Sequence, residues 1–114
     1  MKVNLDYLKS LVGNDPETIR EMLNIFCEDV PRYLQSMQES QDANDWPGVA
    51  RTAHSLKSSM GFTGRNDMVD MAEELQHQKE EPTDPAMIAL LETFKQQAYE
   101  IVEEFKGMMQ RSDF

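Results

Sequence analysis

The segment NDPETIREMLNIFCEDVPRYLQSMQESQDAND, residues 14–45, carries one periodicity from end to end. Asp15 and Pro16 are typical of a helix start, because aspartate accepts hydrogen bonds from the free first-turn amides and proline has no amide to leave unpaired. The apolar side chains that follow recur every three or four residues, at Ile19, Leu23, Phe26, Val30, Leu34 and Met37. This spacing predicts one long helix with a single buried face, about 40 Å long and ending near residue 41.

Four other segments show the same spacing and are separated by Gly, Pro, Asn and Asp. They cover residues 4–12, 45–61, 68–75 and 85–107, with Gly13 and Gly61 as helix ends and Gly107 as the start of a frayed end. No segment alternates as a strand does. The sequence therefore predicts one all-α domain, residues 1–114. The last four helices form an up-down-up-down four-helix bundle, and the first is a short additional N-terminal helix.

Charge and composition exclude several classes of partner. The 114 residues include 21 acidic and 11 basic side chains, a formal charge of −10. Such a surface repels phosphate backbones and anionic membranes, so we expect neither nucleic-acid binding nor membrane insertion. The single cysteine, Cys27, allows no intrachain disulfide, and no apolar run resembles a signal peptide or membrane span. We expect a cytoplasmic monomer, and the starting methionine favours a separate protein over a piece of a larger one.

The segment ARTAHSLKSSMGFTG, residues 50–64, departs from an ordinary amphipathic helix. On a helical wheel His54 points roughly 120° away from the apolar stripe of this helix. Lys57 lies one turn further along, within reach of His54. Ser58 and Gly61 fall on the same side as His54, although glycine costs about 1 kcal/mol relative to alanine inside a helix. Small residues beside an exposed imidazole leave room for a large partner.

These residue types suit phosphoryl transfer. A neutral imidazole is a competent nucleophile near pH 7, so His54 is the candidate phosphoacceptor. The transferred group carries negative charge on three oxygens, and Lys57 supplies a cation for them. Ser58 and Gly61 provide steric access. The spacing alone is equally compatible with a surface histidine and a glycine that merely ends its helix.

The longer segment AHSLKSSMGFTGRNDMVDMAEELQ, residues 53–76, resembles the core motif of histidine-containing phosphotransfer (HPt) domains of two-component phosphorelays. That motif reads A-H-x-[LIF]-K-G-[SA]-[AS]-x-x-[LIV]-G and is followed by a helix ending in L-[EQ]. The matching positions are Ala53, His54, Leu56, Lys57, Ser59, Gly61, Gly64, Leu75 and Gln76. The upstream segment NDWPGVARTAH is also similar. Ser58 departs from the family, which usually has glycine there, and Met60 replaces a smaller residue.

The resemblance implies a phosphorelay carrier, without catalytic machinery of its own. His54 would accept a phosphoryl group from a receiver-domain aspartate and pass it to another receiver aspartate. Lys57 would be the supporting cation, and Gln76, on the next helix, would hydrogen-bond the histidine ring and orient it. The implied partners are response-regulator receiver domains and a hybrid sensor histidine kinase. No intrinsic cofactor is expected, and Mg²⁺ would be held by the partner receiver.

Two other classes of function stay open at this point. One is a helical adaptor that binds its partner without chemistry. The other is a metal-dependent bundle enzyme, because Glu74 and His77 form an E-x-x-H pair of the kind found in di-iron bundles. A second copy of that pair would need a glutamate where Arg51 stands, and both residues face away from the apolar stripe. No metal site is therefore predicted, and Cys27 is interpreted as a packing residue.

Overall fold

The computed structural model describes residues 2–114 and contains five α-helices joined by short connections. They are α1 (Asp6–Val12), α2 (Pro16–Asp42), α3 (Trp46–Met60), α4 (Asn66–Gln76) and α5 (Pro85–Arg111), with a 3-10 turn at Gly61–Thr63. No β-strand occurs within residues 2–114. The prediction of an all-α bundle with a short additional helix at its N-terminus is confirmed.

Aspartate and proline set the starts of the three longest helices. The carboxylate of Asp45 accepts a hydrogen bond from the amide of Gly48 at 3.0 Å, and Asp84 caps α5 in the same way. Such bonds satisfy amides that the first turn of a helix leaves without a partner. At α2 the carboxylate of Asp15 accepts instead from the hydroxyl of Thr18, at 2.8 Å. A proline follows each of these aspartates within two residues.

The helices that follow one another in the chain are also neighbours in space, and α5 closes the bundle against α2. Arg20 of α2 donates to the carbonyl oxygen of Met109 in α5 at 2.8 Å, and Lys95 of α5 donates to Gln38 of α2 at 2.6 Å. Residue numbers rise along α2 as they fall along α5, so the two helices are antiparallel. The molecule measures 45 × 21 × 19 Å.

The core is built from one apolar stripe of each long helix. The predicted stripe of α2 is entirely buried: Ile19, Leu23, Phe26, Val30, Leu34 and Met37. The rings of Phe26 and Phe105 meet edge to face, with centroids 4.9 Å apart. Full burial of a large apolar side chain stabilises the fold by about 1.5–3 kcal/mol. This core leaves the opposite face of α3 free to carry polar residues.

The observed ends of α5 and α1 differ from the predictions. Helix α5 continues through Gly107 to Arg111, although fraying was predicted from Gly107. Met108 and Met109 pack against the core, and Arg20 hydrogen-bonds the carbonyl oxygen of Met109. These contacts outweigh the cost of about 1 kcal/mol for a glycine inside a helix.

The second difference is in α1, which begins at Asp6 and not at Asn4. The side-chain oxygen of Asn4 accepts a hydrogen bond from the amide of Asp6 at 3.1 Å. Leu8 is buried, Val12 packs against the core, and Leu11 is 55% exposed. The face of α1 that carries Leu11 therefore lies at the surface.

A buried cation that was not predicted from the sequence links α2 to α5. Lys95 is only 6% exposed. Its ammonium donates to Gln38 and Gln41 at 2.6 Å each and pairs with Glu92 at 2.9 Å. A buried charge is tolerated when it is paired and hydrogen-bonded, as it is here.

None of the helices within residues 2–114 combines the length with the apolar composition needed to cross a bilayer.

Candidate functional site

His54 stands on the polar face of α3. Its neighbours Ala53 and Leu56 are fully buried in the core, whereas His54 itself is exposed. The difference follows from the 100° step between successive helical residues, which turns His54 out of the bundle. The imidazole is therefore accessible to a large partner.

Gln76, in the last turn of α4, contacts the ring of His54. Its side-chain oxygen Oε1 lies 3.2 Å from Nδ1 of His54. An amide oxygen only accepts hydrogen bonds, so Nδ1 carries the proton of a neutral ring. The nitrogen Nε2 then keeps its lone pair. An exposed imidazole held in this tautomer has one nucleophilic nitrogen, in a fixed position.

One helical turn from this contact, Lys57 of α3 forms an ion pair with Glu73 of α4. The other carboxylate oxygen of Glu73 lies 3.3 Å from Nε2 of His77. Hydrogen bonds from Lys57 and then from His77 hold the pKa of Glu73 below its ordinary value. Lys57, the cation predicted beside His54, is thus paired with a carboxylate. Glu73 was not predicted, although it precedes Gln76 by one turn and so shares its flank of α4.

The small residues after His54 leave the surface open. Ser58 is exposed, and a Cβ built on Gly61 would meet no atom within 4 Å. Gly61 has ordinary right-handed backbone angles, φ −57° and ψ −27°, that any residue adopts. Gly64 differs, because its φ is +72° and the side chain of Asn4 fills the space a Cβ would need. The fold therefore requires glycine at position 64 but not at position 61.

A shallow depression begins at His54, Lys57 and Ser58 and continues to α1. Its apolar part is formed by Tyr7, Phe62 and Val69. The rings of Tyr7 and Phe62 lie 6.1 Å apart, and Tyr7 is 52% exposed. Tyr7, Phe62 and Val69 were not predicted to line the site. Helix α1, which carries Tyr7, is held here by tertiary contacts such as the 2.9 Å hydrogen bond from the Asn4 amide to the Thr63 carbonyl.

A second depression lies on the other side of His54, and two cations line it, Arg51 and Lys79. Arg51 precedes His54 by one turn, and its guanidinium is 3.9 Å from the carboxylate of Asp45. Arg51 was not predicted to belong to the site. The position of Arg51 one turn before His54 was a signal that it would share this face.

The E-x-x-H pair does not converge with other metal-binding side chains. Glu74 and His77 are both exposed, and His77 contacts Glu73. Within residues 2–114, no group of three or more His, Cys, Asp or Glu side chains is arranged to hold a metal ion. Cys27 is partly buried, with its sulfur 3.7 Å from the carbonyl oxygen of Val102, and this burial raises the pKa of its thiol.

Comparison with known protein families identifies the class to which the chain belongs. A protein-family model described as Hpt domain matches residues 21–113, and the chain therefore belongs to the Hpt domain family. Hpt domains are histidine phosphotransfer carriers of two-component phosphorelays, in which they interact with receiver domains and kinases. The match includes α3 to α5 and most of α2, but leaves out α1. No curated protein and no solved structure was found to match the chain.

Proposed function

We propose that His54 is the phosphoacceptor of this Hpt domain, taking a phosphoryl group from a receiver aspartate and delivering it to a second receiver. The observation that carries the proposal is the 3.2 Å contact between Nδ1 of an exposed His54 and the side-chain oxygen of Gln76. It supports an accessible nucleophile with a fixed tautomer. The ring of His77, the second histidine, contacts the carboxylate of Glu73 instead.

In the transfer step, Nε2 of His54 attacks the phosphorus of the aspartyl phosphate. A nitrogen–phosphorus bond forms as the bond between phosphorus and the carboxylate oxygen breaks, and the aspartate leaves with that electron pair. The proton on Nδ1 stays in place, so the ring becomes positively charged and its hydrogen bond to Gln76 strengthens. Lys57 supports the negative oxygens of the group in transit. The return step runs through the same bonds in reverse.

The remaining catalytic groups come from the partner. Transfer between aspartate and histidine depends mainly on in-line positioning and neutralisation of charge. The sequence contains no glycine-rich nucleotide loop. The chain is therefore a carrier and not an enzyme that phosphorylates itself. The Mg²⁺ ion would belong to the receiver, the partners would include a hybrid sensor histidine kinase, and this chain would act in the cytoplasm.

The receiver would dock on the depression that extends from His54 to α1. Tyr7 and Phe62 offer an apolar contact, and Gly61 lets the receiver backbone approach closely. Apolar residues at the centre of a transient interface with a polar rim are the usual arrangement. A single domain presenting one such surface would act as a monomer.

Phosphoryl transfer from purified, phosphorylated receivers tests the proposal. We expect labelling that is labile in acid and stable in base, and loss of the label in His54→Gln. The matched control is His77→Gln, which removes the second histidine and should label like the wild type. Labelling that persists in His54→Gln contradicts the assignment. Receiver binding without any labelling, and with equal affinity for His54→Gln, would show an adaptor.

A further inference from the structure

The ion pair between Lys57 and Glu73 spans the gap between α3 and α4, next to the proposed phosphoacceptor. The contacts His54–Gln76 and Lys57–Glu73 are successive, because the two helices are antiparallel and each pair is one turn from the other. A phosphoryl group on His54 would therefore form beside a cation that already has a partner. It would also form close to the negative charge of that partner.

We propose that Glu73 competes with the phosphoryl group for the ammonium of Lys57 and thereby lowers the equilibrium level of phosphorylated His54. This inference rests on the proposed function of His54. In the unphosphorylated protein Glu73 is the partner of Lys57. In the phosphorylated protein the doubly charged phosphoryl group attracts Lys57 and repels Glu73. Glu73 thus stabilises the unphosphorylated form relative to the phosphorylated one, as suits a carrier that must give its group away.

The surroundings of Glu73 allow Lys57 to pair either with Glu73 or with the phosphoryl group. The side chains of Lys57 and Glu73 are 36% and 43% exposed, so the pair is hydrated and weak. His77 also contacts Glu73 and remains its partner when Lys57 turns away. The long, flexible lysine stem allows its ammonium to reach either side. No rearrangement of the helices is needed.

The test is the equilibrium constant for transfer between one receiver and this protein, measured with Glu73→Gln. Glutamine keeps the shape of the side chain and removes its charge. We expect the constant to shift about two- to fivefold toward phosphorylated His54, the range expected for an exposed ion pair. The shift should shrink in 1 M salt, where charges are screened beyond about 3 Å.

The matched control is Glu74→Gln, which removes the same charge at the adjacent exposed position. We expect it to leave the constant unchanged. In a Lys57→Ala background the effect of Glu73→Gln should fall to the level of that control. An unchanged or reduced constant in Glu73→Gln, or an equal shift in Glu74→Gln, overturns the inference while wild-type labelling upholds the proposed function. Wild-type protein that takes up no phosphoryl group overturns both.

NMR spectra of the lysine ammonium groups give a second measurement, without a receiver. Phosphoramidate serves as the donor: its nitrogen–phosphorus bond breaks, ammonia leaves, and phosphorus bonds to the His54 ring. We expect the Lys57 signal to shift on phosphorylation, and Glu73→Gln to shift it already in the unphosphorylated protein. A Lys57 signal that does not respond to phosphorylation contradicts the competition.

Discussion

The ammonium of Lys57 on α3 is paired with the carboxylate of Glu73 on α4, one helical turn from the contact between His54 and Gln76. Two polar contacts in succession thus line the seam between these helices. The first involves the imidazole of His54, and the second involves the ammonium of Lys57. The two residues of each contact lie on different helices, so the packing of α3 against α4 determines the chemistry of the site.

Removal of the Gln76 side chain should slow phosphoryl uptake without unfolding the protein. In Gln76→Ala the ring loses the acceptor that fixes its tautomer, and we expect the rate to fall about fivefold, equivalent to one hydrogen bond of roughly 1 kcal/mol. Rates from a phosphorylated receiver measure the effect, and nitrogen chemical shifts of His54 report the tautomer. A tautomer ratio equal to that of the wild type would remove Gln76 from the proposed mechanism.

Removal of the Lys57 cation should slow transfer about tenfold. This factor is at the lower end of the range of effects expected when a hydrogen bond to a charged group is lost. The variant is Lys57→Ala, and its thermal unfolding should resemble the wild type, because exposed ion pairs contribute little stability. Lys79→Ala is a suitable control, since Lys79 lines the other depression. Equal rates in Lys57→Ala and the wild type would show that the lysine takes no part.

A bulky side chain at Gly61 should block the receiver and leave the fold intact. A Cβ there meets no protein atom, and the backbone is helical, so Gly61→Gln is accommodated. We expect transfer from a receiver to fall roughly tenfold, because overpacking an interface costs about 1–3 kcal/mol. Labelling by phosphoramidate should be unchanged.

Gly64→Ala provides the contrast. The φ of Gly64 is +72°, a backbone conformation that costs other residues about 1 kcal/mol or more, so this substitution should lower the stability. If Gly61→Gln is equally destabilising, the glycine at position 61 serves the fold after all.

Loss of the Tyr7 ring should weaken receiver binding. Tyr7→Ala removes an exposed aromatic from the apolar part of the depression, and central aromatics of an interface contribute strongly to affinity. We expect the dissociation constant to rise about tenfold, measured by titration calorimetry, with unchanged labelling by phosphoramidate. Tyr99→Ala, on α5 and similarly exposed at 45%, should bind as the wild type does. Equal affinities for the two variants would place the interface elsewhere.

The stability of the start of α4 should depend on pH through Asp67. The guanidinium of buried Arg65 donates to both oxygens of Asp67, at 2.9 and 2.7 Å, and its hydrogen bond lowers the pKa of that carboxyl. Because the pKa of Asp67 is lower in the folded protein than in the unfolded chain, its ionised carboxylate stabilises the fold. This contribution is complete above the unfolded pKa of about 3.9 and is lost as the pH falls through the folded pKa.

Asp67→Asn should therefore be less stable at pH 7 by about 1 kcal/mol and lose less on acidification. Urea unfolding between pH 7 and pH 3 measures both effects. A wild type and an Asp67→Asn variant with parallel pH profiles would contradict this account.

Much of the fold could be predicted from local patterns. The stripe from Ile19 to Met37 is buried as its spacing indicates, and Asp45 and Asp84 cap the helices that they precede. These features depend on residues within a few positions of one another. The end of α5 could not be predicted locally, because Gly107 is held in the helix by packing of Met108 and Met109 and by a contact from Arg20.

The sequence by itself determined the helical periods, the starts of α2, α3 and α5, and the outward position of His54, since a step of 100° per residue follows from the backbone alone. Only the tertiary structure decided that Glu73 pairs with Lys57, that Tyr7 joins the depression beside His54, and that Lys95 is buried between α2 and α5. Those contacts join residues distant in the chain, and side-chain packing between helices sets them.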